Sequence, residues 1–316
     1  MTENRWPAAR AALGWVVAVV ALGFLAASLY QHRVAVAEAF AATPPWTVAV
    51  AALGIIVLVG GHLPLWTRLL AGSGVVVPTR RAASVVYVGQ LGKYVPGGVW
   101  SVVAQASLAR ELGIPTRRTI GAGMSVIVVQ LAGAASIAGL IHGLGYGPEG
   151  IPRPLGWLVL AGALTLLSRP VLRRLNGLLS GAAPGLSRRG AWEIQAIVIS
   201  TWLVGCATAI PLLTEGERTS VAASAGLAQS VVVAFIAGVV MVLAPAGLGV
   251  REAVTLSMAG PLVGVGRALA AAVVLRVISA VVDVSAAAIS KSIDGGREQP
   301  RVDHATSDPN SEGLPT

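Results

Sequence analysis

The amino-acid sequence predicts an all-α polytopic membrane protein of about six to eight transmembrane helices, one or two of them broken into re-entrant hairpins. Three observations carry this. Hydrophobic residues make up 55% of the 316 positions and charged residues 12%, far too apolar a balance for a soluble domain. Apolar runs of about 20 residues recur along the chain, the length a helix needs to cross a hydrocarbon layer about 30 Å thick. Most of the cations fall in the loops between these runs, where they set topology.

Taken in order, residues 1–10 form a short N-terminus carrying Arg5 and Arg10, and residues 11–30 the first span. Ala35-Val36-Ala37 resembles a signal-peptidase site, but the apolar run outlasts a signal-peptide core and more spans follow, so an uncleaved helix is expected. Residues 46–70 make the second span, which holds His62 beside Pro64. Packing or hydrogen bonding suits that lone histidine better than proton relay. Trp46, Trp66 and Trp157 lie near span ends, as interfacial anchors should. Residues 82–106 form a broken element, and residues 120–144 the third full crossing, where Gly139 and Gly143 have the spacing of a close helix contact. Residues 155–168 are shorter, about 21 Å if helical, and make a fourth span. The most basic loop follows, with Arg169, Arg173, Arg174, Arg188 and Arg189. Glu193 opens the fifth span, residues 193–213. Residues 222–243, long enough either to cross fully or to turn back at a second break at 244–252, then a short apolar piece to 265 and a last span at 268–289 complete a membrane domain of residues 11–290. The polar tail, residues 291–316, is expected to be disordered and cytoplasmic.

With the N-terminus in the cytoplasm and the first broken element returning to its own side, only Arg33, Arg153, Arg218 and Arg267 of the loop cations fall outside. That asymmetry predicts a multi-pass protein of the cell membrane with both termini cytoplasmic. The formal charge of +9 is thereby explained by topology, and nucleic acid is not an expected partner. Cys206, the only cysteine, is expected to be packing. Arginine dominates lysine and alanine is abundant, the composition of a GC-rich, bacterial coding sequence.

The first break shows the most chemistry. Gln90, Lys93 and Tyr94 share about one helical turn, and Pro96, Gly97 and Gly98 follow at once. Pro96 removes a donor and pushes Val95 out of helical geometry. Two half-helices meeting at membrane depth should result, tolerated only where protein or a water-filled cavity satisfies the freed backbone. The second half-helix, residues 99–108, would direct free amides and a positive dipole end toward an anion. The second break carries Pro245, Gly247 and Gly249, and a pair of breaks in the two halves of a chain points to inverted repeats around a midplane site.

Charges at membrane depth are costly and face a cavity or a partner. Here they are Lys93, Arg251, Glu252, Arg276 and Asp283. Arg276, Ser279 and Asp283 recur at i, i+3 and i+7 and form one stripe, although Arg276 and Asp283 stand too far apart to pair. Arg251 and Glu252 point about 100° apart on a helix and cannot serve one spot together. Gln90, Lys93, Tyr94, Gly97, Gly98, Trp100, Arg251 and Arg276 are the candidate ligands of an anionic head group. Glu252 and Asp283 are candidates for ion coupling or for a structural ion-pair network with Lys93 and Arg276, and that network is an equal alternative to anion binding by the two cations. No metal-ligand cluster, nucleotide loop or hydrolase triad stands out, so neither a cofactor nor an enzyme activity is expected.

Gly92-Lys93-Tyr94-Val95-Pro96-Gly97-Gly98 with Trp100, and Pro245-Ala246-Gly247-Leu248-Gly249-Val250-Arg251-Glu252, resemble the transmembrane, flippase-like region of the lysylphosphatidylglycerol synthase family over residues 5–292. Arg276 also fits, while Ala246 stands where a glycine is common. The full-length synthases add a soluble aminoacyl-transferase domain, to which nothing in this sequence corresponds. The resemblance implies movement of an anionic or aminoacylated phospholipid, or a polyprenyl-phosphate-linked lipid, between leaflets. A competing class is a scaffold or accessory subunit for a lipid- or glycan-modifying enzyme, recruited through the basic loop. Homo-oligomerisation is left open.

Overall fold

The computed structural model describes residue 30 and residues 33–95, 99–182, 185–241 and 247–295. The expected first span up to residue 29, Pro96, Gly97, Gly98, Pro245 and the tail beyond residue 295 lie outside the described residues. Every regular element among those described is a helix. They are α1 (Arg33–Ala42), α2 (Pro45–Gly60), α3 (His62–Gly72), α4 (Thr79–Gln90), a 3-10 turn (Leu91–Tyr94), α5 (Trp100–Glu111) and α6 (Thr116–Ile141). After them come α7 (Arg153–Leu167), α8 (Arg169–Ser180), α9 (Arg188–Leu213), α10 (Val221–Val240), α11 (Val250–Val263) and α12 (Val265–Gly295).

Five stretches among the described residues are long and apolar enough to cross a membrane: Pro45–Gly72, Thr116–Tyr146, Arg188–Leu213, Val221–Val240 and Val265–Asp294. The chain is therefore an all-α polytopic membrane protein. Local chemistry sets several starts. Ser187 and Ser220 cap α9 and α10 by accepting from the amides of Gly190 and Ala223, and prolines open α2, α7 and α8.

Three features differ from expectation. Residues 33–42, taken as loop, form α1, which packs Val36 and Ala39 on Leu269 and Ala270 of α12. The expected fourth span forms α7, which is long and apolar enough to cross only together with α8, into which it bends by 61°, so part of the most basic loop is helical. Proline at the second position of α8 allows a helix to begin there but not to continue smoothly from α7. Residues 291–295, assigned to the tail, extend α12.

Glycines fix the closest helix contacts. A Cβ on Gly139 would lie 2.7 Å from the Leu160 backbone, and one on Gly156 2.3 Å from the Gly143 amide nitrogen, so the spaced pair, Gly139 on α6 and Gly143 just beyond its end, does bring α7 close. Gly54 and Gly61 of α2 and its C-cap abut Thr208 and Thr201 of α9, an antiparallel register. Cys206 is buried within this packing.

The molecule has two distinct ends. At one, Arg68 of α3 pairs with Glu193 of α9 at 2.6 Å, and the Gly185 amide donates to the Gly72 carbonyl at 3.1 Å. The start of α6 lies there too, since Gly121 meets Ser180. This end collects Arg68, Arg117, Arg118 and Arg189 and is basic. At the other, Trp46 at the start of α2 covers Gly216, and Arg267 at the start of α12 pairs with Glu215 and Glu217, each at 2.9 Å.

Candidate functional site

Both breaks are antiparallel hairpins, and they enter from opposite ends. In the first, Gly89 abuts Gln105 and Gly92 abuts Trp100 and Ser101, so α5 runs back along α4 to the basic end. Twelve residues each, α4 and α5 span about 18 Å, well short of the hydrocarbon thickness. Val95, held extended at φ −88° and ψ 133°, shows the geometry that a following proline demands. In the second, Gly226 abuts Leu262 and Gly238 abuts Arg251, so α11 runs back along α10 to the opposite end. Gly247 and Gly249 make that turn with positive φ, 71° and 78°, a conformation open chiefly to glycine. A Cβ on Gly247 would also meet the Gly238 backbone at 2.6 Å.

The tips of the two hairpins meet at the middle of α12. Lys93 Nζ lies 2.6 Å from Asp283 Oδ2, and the Tyr94 hydroxyl donates to the same oxygen at 2.7 Å. About two turns away along α12, Arg276 Nε lies 3.7 Å from Glu252 Oε1. Arg276 and Asp283 thus take separate partners, as their spacing predicts. Arg251 is directed away from its neighbour Glu252 and stacks its guanidinium 5.0 Å from the centre of the Phe235 ring.

All of these groups but Glu252 border a cavity of about 230 Å³, lined also by Gln90, His62 and Ser279. The predicted stripe of Arg276, Ser279 and Asp283 faces it entire. Its wall includes Ser101 in the first turn of α5 and Arg251 in the first turn of α11, so both returning half-helices start at the cavity. Asp283 and Glu252 are buried, whereas Lys93 is about one third exposed. Three cations face two carboxylates, leaving a net positive charge among the described residues.

Of the predicted residues, Gln90, Lys93, Tyr94, Gly247, Arg251, Arg276 and Asp283 line the cavity. Glu252 reaches it through Arg276. Trp100 stands outside, with an exposed ring and its backbone against Gly92. Gly249 shapes the turn without lining the space. His62 Nδ1 donates to the Leu58 carbonyl, 3.0 Å away, and the ring also borders the cavity.

Sequence reasoning missed the far wall. Trp66, assigned to the interface, is 1% exposed and lines the cavity because Gly61 interrupts the span and α3 continues it inside the bundle. Gln105, Gln130, Trp202 and Phe235 line the same wall. The signal for Gln105 and Gln130 was present, since an amide in an apolar helix demands a polar partner.

Fold and site together define a polytopic membrane protein with a charged cavity between two opposed broken helices. No family model and no curated protein matches the chain.

Proposed function

We propose that the protein is a lipid flippase that carries an anionic head group between leaflets through this cavity, the activity implied by its resemblance to the membrane region of the lysylphosphatidylglycerol synthase family. The observation that carries the proposal is the meeting of two antiparallel hairpins from opposite ends at one cavity with more cations than carboxylates. Opposed broken helices around a midplane site are the architecture of alternating access. A polar path through the bundle lowers the barrier that about 30 Å of hydrocarbon sets for a head group, while acyl or prenyl tails stay in lipid.

The ion pairs give the site a resting state. Asp283 occupies Lys93, and Glu252 occupies Arg276, where a phosphate would sit. A phosphodiester competes for both cations, and its binding loosens the first hairpin tip from α12. Protonation of Asp283 has the same effect, which makes Asp283 and Glu252 the candidate carriers if transport is ion-coupled. The basic end faces the cytoplasm by the positive-inside rule, which places both termini there.

Leaflet exchange of fluorescent lipids in proteoliposomes tests the proposal. Anionic phospholipid and polyprenyl-phosphate analogues should exchange at least tenfold faster than in empty vesicles, and Arg276→Ala of equal folded yield should lose most of that gain. Exchange no faster than in empty vesicles for every anionic lipid rejects it.

A further inference from the structure

Beyond the charged end, the cavity wall has a second character. Trp66, Gln105, Gln130 and Trp202 come from four different helices, and each is at least 95% buried. Among the described residues, Trp66 Nε1, Trp202 Nε1, Gln105 Oε1 and Gln130 Oε1 have no hydrogen-bond partner. Buried polar groups are paired in the great majority of proteins, so four orphans on one wall point to a ligand that completes them. Two are obligate donors and two are acceptors.

We propose that this wall is a subsite for a neutral, hydroxyl-rich group attached to the phosphate, such as a single glycosyl or polyol unit. This rests on the flippase assignment for its lipid but not for its chemistry. Hydroxyls match the wall because each donates once and accepts through two lone pairs, so one ring of them satisfies indole N–H and amide oxygen alike. A trimethylammonium group donates nothing to Gln105 or Gln130. An aminoacyl ammonium cannot accept from either indole and adds positive charge to a cavity that already has a positive excess. The two ends are continuous: Arg251 stacks on Phe235, whose ring meets Trp202 edge-on at 4.5 Å between centroids. A volume of about 230 Å³ suits one such unit and not an oligosaccharide.

Two arms separate the subsite from the transport. In the first, indole fluorescence of the full chain in nanodiscs reports binding of glucose 1-phosphate, inositol 1-phosphate, inorganic phosphate and phosphocholine. The two hydroxyl-rich phosphates should bind at least tenfold tighter than the other two, and Gln130→Leu and Trp202→Phe should reduce that ratio below threefold. Equal binding of all four, or a ratio unmoved by both variants, overturns the subsite whatever the transport result. In the second arm, polyprenyl-phosphate glucose and phosphatidylinositol should exchange leaflets faster than phosphatidylcholine. Head-group preference without exchange of either lipid rejects the flippase and assigns the subsite to a soluble sugar phosphate.

Discussion

Lys93→Ala is expected to destabilise the protein by about 3 kcal/mol, and the double variant Lys93→Ala/Asp283→Ala to recover most of that loss. The carboxylate of Asp283 is 1% exposed, and its partners among the described residues are Lys93 and Tyr94. Removing the ammonium alone leaves a buried charge with one neutral hydrogen bond, and breaking such a pair costs about 3–5 kcal/mol. The low end applies because Lys93 is one third exposed. Deleting both charges removes the penalty along with the pair. Thermal unfolding of both variants in detergent reads this directly. A double variant no more stable than Lys93→Ala would show that the ammonium has some other partner of equal weight.

Gly92→Ala should be the most damaging single methyl in the first hairpin, at about 3 kcal/mol. Its Cβ would lie 2.6 Å from the Trp100 carbonyl carbon and oxygen and 2.7 Å from the Ser101 amide nitrogen. All three are backbone atoms, which cannot turn aside as a side chain can, so the 3-10 turn must separate from α5. That shift carries Lys93 and Tyr94 off Asp283, and substrate exchange should fall with stability. Gly162→Ala in α7 is the control, because a Cβ there meets nothing within 4 Å. It should be neutral or stabilise slightly, as alanine does within a helix. Equal unfolding temperatures for the two variants would contradict the close approach at Gly92.

Much of this site was legible in the sequence because it follows from local rules. Val95 is extended because Pro96 follows it, and the stripe of Arg276, Ser279 and Asp283 follows from helical periodicity. The two breaks were visible as Pro and Gly within apolar runs. Partner choice was not visible, since Lys93 and Asp283 are brought together by tertiary packing of the first hairpin on α12. Trp66 was misplaced for a related reason. A tryptophan near a span end is usually interfacial, but the turn at Gly61 carries α3 into the bundle, where Trp66 is buried beside α6 and α9. The helices α1 and α8 escaped because they are short and lack a full apolar span, so only their contacts stabilise them.

The central claim is that the cations at the hairpin tips bind a lipid phosphate rather than serving only to join the helices. The double variant Lys93→Ala/Asp283→Ala separates the two roles, because it removes the anion ligand while sparing the fold. We would measure leaflet exchange of an anionic fluorescent lipid by this variant at wild-type folded yield. A folded protein with exchange reduced at least tenfold is the predicted result. Exchange at the wild-type rate would show that the Lys93–Asp283 pair is structural alone and contradict the placement of the transport site there.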